Sequence, residues 1–277
     1  MLFTVKDALI VADILRDAAK AEIMPRWRSL SSEAIRQKTS PLDLVTDADE
    51  AAERVIGAAL AKAFPGATVI GEESTEKDAS LLDGIAGADL AFIIDPVDGT
   101  ANFAAGLPLF GVMAAVTVRG ETVAGVIYDP VGEDWSFAVR GEGAWTQGLD
   151  GARRDMRVRA SAPVSQMFGA VSWNLMAEPL RSRFTSRMPR VASTFNYRCA
   201  AHEYRLIADG HCHFAVFNRL MPWDHAAGVL LHREAGGHSA RYDGTPYNAT
   251  VRTGGLLCAP DRESWQELLD ALISETE

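Results

Sequence analysis

The sequence predicts an α/β chain with α+β character, with helices and an antiparallel sheet in the first half and a smaller α/β unit in the second. Three observations carry this. Apolar residues recur at helical spacing near the N-terminus, three β-rich runs follow one another between residues 111 and 139, and strand-like and helix-like segments alternate late in the chain.

Val5, Ala8, Leu9, Ala12, Leu15 and Ala19 share one helical face, so a helix is expected over residues 4–23, ending near Pro25. A second is expected from Asp47 to Phe64, with Val55, Ile56 and Leu60 on its apolar side and Pro65-Gly66 as its breaker. Ala67 to Ile70 and Leu90 to Ile94 read as buried strands. From Gly111 to Val139 the runs are punctuated by Arg119-Gly120 and Asp129-Pro130, as in an antiparallel meander. The second half reads as a strand at Val191–Phe195, a helix at Ala200–Ala208, a strand at Phe214–Phe217 and a helix at Asp224–Ala235. Gly148, Asp150, Gly151, Arg153, Arg154 and Asp155 cluster between the halves, which sets expected domains of 1–150 and 151–277.

Composition narrows the function classes. With 277 residues, 48% hydrophobic and 23% charged, there is ample material for a core. No apolar run approaches the roughly 20 residues that span a bilayer. The segment MLFTVKDALIVADILRDAAK places acids within its apolar pattern, unlike a signal peptide, so a cytoplasmic protein without a membrane partner is expected. Cys199, Cys212 and Cys258 are odd in number and lack C-x-x-C spacing, which argues against a disulfide framework or a zinc knuckle. A net charge of −10 argues against nonspecific nucleic-acid binding. An acidic protein that handles phosphate must borrow positive charge, and a divalent cation is the obvious source.

Four acidic segments stand out: Lys38 to Asp49, Gly71-Glu72-Glu73-Ser74, Asp95-Pro96-Val97-Asp98-Gly99-Thr100, and Pro222-Trp223-Asp224. Each has a plain structural reading when taken alone. Thr46-Asp47-Ala48-Asp49 fits a helix-capping box, Glu72-Glu73-Ser74 a polar loop, Asp224 a helix N-cap, and Asp95 to Thr100 a β-turn. Three of the four follow a strand-like run, and strand ends on one side of a sheet are where ligand sites collect. If Glu72, Asp95, Asp98 and Asp224 meet, their charges repel by several kcal/mol at ordinary protein dielectrics, and cations must neutralise them. A zinc site is a poor rival. His211-x-His213 lies on a strand-like run, but no carboxylate or cysteine at compatible spacing completes a ligand set. Among the other histidines only His225, next to Asp224, is placed at the lining of the site.

The ordered set resembles the inositol monophosphatase family of Mg²⁺-dependent, lithium-sensitive sugar and polyol phosphatases, over nearly the full chain. One family signature corresponds to Ile93–Phe103, and the second to Trp223–Gly228 followed by Glu234–Gly237. The resemblance implies a layered αβαβα sandwich and a homodimer. It implies that Glu72, Asp95, the carbonyl of Val97, Asp98 and Asp224 bind two or three Mg²⁺ ions, for which Mn²⁺ could substitute. Asp49 and Thr100 match the pair that orients and deprotonates the attacking water, and the amides of Gly99 and Thr100 would hold phosphate oxygens. Lys38 matches a basic position near the site.

Departures from the family pattern bear on substrate. The small residues that border the substrate ring in relatives read Arg198-Cys199-Ala200-Ala201 here, and Phe217 stands seven residues before Asp224, where inositol-hydrolysing relatives usually carry Glu. An aromatic ring accepts no hydrogen bond from a polyol, and each unpaired hydroxyl costs about 1–3 kcal/mol. Arg198 could pair with a second phosphate or a carboxylate, or with Glu203. The expectation is a metal-dependent phosphomonoesterase acting on a small phosphorylated metabolite by in-line attack of metal-activated water. Histidinol phosphate, fructose 1,6-bisphosphate and 3′-phosphoadenosine 5′-phosphate are the candidates beside inositol phosphate. A catalytically silent metal-binding regulator is the alternative of a different class.

Overall fold

Thr4 caps the first helix, α1 (Val5–Ala18), through reciprocal bonds with Asp7, and the helix continues in a wider turn over Ala19–Ile23 before Pro25. The computed structural model describes residues 3–39 and 43–275, so Ser40, Pro41 and Leu42 of the first acidic segment lie outside the described residues. There follow β1 (Ile35–Gln37), β2 (Leu44–Thr46), α2 (Asp47–Ala63), β3 (Thr68–Gly71), α3 (Glu72–Lys77), β4 (Ala91–Asp98) and α4 (Thr100–Ala104). The meander is β5 (Gly111–Val118), β6 (Glu121–Asp129) and β7 (Asp134–Val139), extended by β8 (Gly143–Gly148) and β9 (Arg153–Asp155). Beyond it run β10 (Phe168–Val171), α5 (Leu180–Arg187), β11 (Ser193–Phe195), α6 (Ala200–Ala208), β12 (Phe214–Phe217), α7 (Pro222–Glu234), β13 (His238–Arg241), β14 (Leu256–Ala259) and α8 (Arg262–Leu272).

Strands β3 to β9 form a seven-stranded sheet in sequential order, antiparallel except for the parallel pair β3 and β4. Strands in the order β11-β10-β12-β14-β13 form a second, mixed sheet of five. Side-chain alternation then dictates the layers. On β4 and β5, Phe92, Ile94, Val112 and Ala114 face α1 and α2, whereas Ile93, Met113 and Ala115 face α6 and α7. On β12 and β14, Ala215, Phe217, Leu256 and Cys258 look toward the same central helices, and Phe214, Val216 and Leu257 look toward α8. The result is helix, sheet, helix, sheet, helix.

Two strands of the large sheet escaped the sequence reading for a physical reason. β8 buries only Ala144 and Trp145, and β9 is fully exposed Arg-Arg-Asp, a charged edge of the kind that blocks further strand pairing. The segment taken as the boundary therefore holds the last strand of the large sheet. In the second half β10, β13, β14, α5 and α8 were also unread. α5 is mostly polar and buries only Phe184 and Arg187. His211 and His213 precede β12 rather than lying on it. Among the described residues no helix is long and apolar enough to cross a membrane.

The central helix α7 approaches its neighbours closely because small residues let it. A Cβ on Gly125 of β6 would lie 2.8 Å from the carbonyl oxygen of Ala227, and one on Gly228 would lie 2.0 Å from the Tyr204 ring on α6. Gly228→Ala is expected to lower the unfolding free energy by about 1–3 kcal/mol through overpacking. Denaturant melts check this, and a variant as stable as the parent would show that Tyr204 yields freely.

Candidate metal centre

The end of β4 makes the site. Asp95 pairs with Met113 and Asp98 with Gly111, and the register slips between them. Pro96 has no N–H to give to β5, so the ladder breaks there, and the irregularity lets carboxylates three residues apart serve one pocket. The strand thus runs on through the segment that reads as a turn. The turn comes one residue later, at Gly99 (φ +85°), where a Cβ would meet the Leu109 carbonyl at 2.9 Å and Cys199 at 3.1 Å.

Asp224 joins from α7. Pro222 takes the first helical position after Met221, so Asp224 stands in the first turn rather than at the N-cap. Carboxylate oxygens of Asp95, Asp98 and Asp224 lie within 4.8 Å of one another. Asp98 is steered by α6: one oxygen accepts from the Ala201 amide at 2.6 Å and the Cys199 thiol at 3.0 Å. Asp95 accepts from the Val97 amide at 3.1 Å. Among the described residues no lysine, arginine or histidine forms an ion pair with these three aspartates. Burial, reinforced for Asp95 and Asp224 by the charges of Glu72 and Asp98, pushes both well above the carboxylate range. Asp98 is raised less freely, because its bonds to Cys199 and Ala201 favour the charged form.

Asp49 and Thr100, expected from sequence to act on the attacking water, lie within hydrogen-bond reach of one another. Asp49, 1% exposed, closes the capping box of α2 with Thr46, and its other oxygen accepts from the Thr100 hydroxyl at 3.0 Å. The same hydroxyl lies 2.9 Å from the Val97 carbonyl. One proton cannot serve both acceptors fully, so a cation taking the Val97 carbonyl would leave Thr100 committed to Asp49. Burial lifts Asp49 to about 7 against the opposing bond from Thr46.

Glu72, first residue of α3, sits apart from the three aspartates in the side-chain contacts it makes. Its carboxylate accepts from Lys38 at 2.9 Å, and Lys38 also reaches Glu73 at 2.7 Å. The lysine is only 8% exposed, and burial, outweighed by the Glu72 and Glu73 charges, leaves its pKa raised. The sequence places Lys38 near the site and Glu73 in an acidic segment but does not pair them, and it gives no sign of Glu53, whose carboxylate accepts from the Glu73 and Ser74 amides and so anchors the turn that presents Glu72. Cys199 and Ala200 border Asp98. Arg198 is exposed, reaching Asn102 at 3.2 Å, while Glu203 accepts from the Tyr197 amide instead. The Phe217 ring stacks inward on Tyr204 and is 4% exposed. His225 does not line the site: it is buried behind it, between the Tyr204 hydroxyl and the Arg219 carbonyl.

The donors fit a hard divalent cation. They are all oxygens, they converge, and among the described residues no cationic side chain pairs with them. A model of the inositol monophosphatase family matches residues 6–277. The Haemophilus influenzae protein named Nus factor SuhB is 34% identical over 224 residues, 79% of each chain. The inositol-1-monophosphatase of Bacillus subtilis is 32% identical over 216 residues, 77% of this chain and 78% of the relative. The crystal structure of extragenic suppressor protein suhB from Bartonella henselae superposes with a TM-score of 0.79 at 28% identity, covering 97% of this chain and 99% of that one.

A sign follows for stability. An acid whose folded pKa is raised favours folding only while protonated, so its contribution is complete below about pH 4 and is lost as pH climbs through the folded value. Asp95 and Asp224 lie well above the ordinary range and Glu73 near 8, and above pH 7 unfolded histidines no longer titrate. EDTA-stripped protein is expected to melt at falling temperature from pH 7 to 9, and added Mg²⁺ to raise the melting point more at pH 9. A stripped protein whose melting point holds or rises over that window contradicts the assignment.

Proposed function

The chain belongs to the inositol monophosphatase family, and on that premise we propose that this metal-dependent phosphomonoesterase uses Mg²⁺ to hydrolyse a small phosphorylated sugar, polyol or related metabolite. The converging carboxylates of Asp95, Asp98 and Asp224, with no ion-pair partner among the described residues, carry the reading. Together with Glu72 and the Val97 carbonyl they would hold two or three Mg²⁺, or Mn²⁺ in its place. Bound there, the ions would supply a nucleophile at neutral pH and offset the charge of phosphate and leaving alkoxide.

The chain's own residues supply position and proton transfer. Asp49, buried and tuned to about 7, takes the proton of the attacking water through Thr100. Amides of Gly99 and Thr100 at the start of α4 would hold the non-bridging phosphate oxygens, leaving the face opposite the leaving group open to in-line attack by water. Arg198, Cys199 and Ala200 border the alcohol half of the ester. Phe217 offers a polyol no acceptor, which weighs against inositol 1-phosphate as the preferred substrate and toward histidinol phosphate, a sugar bisphosphate or a 3′(2′),5′-bisphosphate nucleotide. A homodimer and lithium sensitivity belong to the same reading and rest on resemblance, whereas the division at residue 150 rests on the Gly, Asp and Arg cluster there and a cytoplasmic site of action on the lack of a signal-like or membrane-spanning run. A silent metal-binding regulator fits less well, because the Asp49–Thr100 bond serves no purpose in such a protein beyond helix capping.

Phosphate release from a panel of phosphomonoesters is expected to require Mg²⁺ and to stop with EDTA. Asp95→Asn is expected to abolish it, and Asp49→Asn to lower kcat about 10²–10⁴-fold with little change in KM. Near-normal turnover by Asp95→Asn sinks the mechanism. Inositol 1-phosphate emerging as the best ester overturns the inference from Phe217.

A further inference from the structure

Two cations flank the acidic cluster, and they are employed differently. Lys38 is 8% exposed and fully engaged by Glu72 and Glu73 at 2.9 and 2.7 Å, so it serves as a fixed counter-charge. Arg219 lies in the loop between β12 and α7, five residues before Asp224, and is 40% exposed. Its one ion-pair contact among the described residues is Asp43 at 3.9 Å, at the limit of ion pairing. No hydrogen bond from its guanidinium is made within those residues.

The backbone that carries Arg219 is pinned. Its carbonyl accepts from His225 Nε2 at 2.6 Å, and the other nitrogen of that ring meets the Tyr204 hydroxyl at 3.0 Å. The preceding Asn218 accepts from the Tyr242 hydroxyl at 2.9 Å, and the following Leu220 is wholly buried. A rigid loop thus presents a guanidinium fork whose donors are open, beside a pocket built to bind an anionic ester. Two other arginines around α6 are spent. Arg205 bonds Asp134 and faces Asp129, and Arg154 forks onto Asp209. Holding the stem while leaving the fork empty lowers the ordering cost of binding a planar or tetrahedral oxyanion.

We infer that Arg219 determines specificity by pairing with a second anionic group, phosphate or carboxylate, on the alcohol half of the substrate ester. This rests on the phosphomonoesterase reading. It makes the preferred substrate a doubly anionic metabolite and gives the β12–α7 loop a role that Phe217, buried just before it, cannot fill.

The test measures kcat and KM of the full chain with Mg²⁺ on fructose 1,6-bisphosphate, 3-phosphoglycerate and the neutral-tailed glycerol 2-phosphate, for the parent and Arg219→Met. The parent should favour at least one doubly anionic ester, mainly through KM. Arg219→Met should erase about ten- to a hundredfold of that preference, the worth of a charge-assisted hydrogen bond. Comparing the bisphosphate with the phosphoglycerate tells which second anion is read. A parent without preference, a variant that keeps it, or an equal fall on all three esters overturns the proposal, the last by reducing Arg219 to a counter-charge like Lys38. Calorimetric titration of the bisphosphate and glycerol 2-phosphate onto both proteins separates the two readings. If no ester is hydrolysed, the phosphatase reading falls, and loss of the binding preference in Arg219→Met alone decides Arg219.

Discussion

Like charges held together away from water are the constraint on which the rest of this molecule depends. Asp95 and Asp98 come from strand β4 and Asp224 from helix α7, far away in sequence, and their carboxylate oxygens lie within 4.8 Å of one another. Such an arrangement opposes folding unless something offsets it. The surrounding devices can be understood as answers to that repulsion: Lys38 bridging Glu72 and Glu73, the N-terminus of α6 directed at Asp98, and burial that favours the protonated forms until a cation takes their place. A hydrophobic core of ordinary size holds the cage closed while it waits.

Much of this was legible in the sequence, and the reason is local. The Ile93–Thr100 stretch joins an apolar strand to a proline, two carboxylates and a glycine, and each of those residues acts over a span of a few positions. The capping box at Thr46–Asp49 was readable on the same ground, and its carboxylate also accepts from the Thr100 hydroxyl. What stayed hidden is relational. That Glu53 would brace α3 or that Lys38 would bind Glu73 depends on contacts across tens of residues, for which no spacing rule exists. Arg219 was passed over because an arginine in a loop is the commonest of surface residues.

The missed strands teach the same lesson from the other side. Periodicity announces an element only when one face is buried, and β9 buries nothing while β8 buries two residues. Short strands of the smaller sheet, such as Phe168–Val171 with its internal glycine, owe their existence to neighbours rather than to propensity. His225 shows a different kind of error. Adjacency to Asp224 along a helix says little about direction, since neighbouring helical residues point about 100° apart, and the imidazole turns into the core.

One consequence concerns the order in which the chain is made. Asp224 belongs to α7, which is clasped between both sheets and is synthesised long after β4 has emerged. A nascent or proteolytically shortened chain ending before residue 222 therefore carries two of the three clustered aspartates and lacks the third, so the carboxylate cluster is complete only once α7 has docked between the sheets.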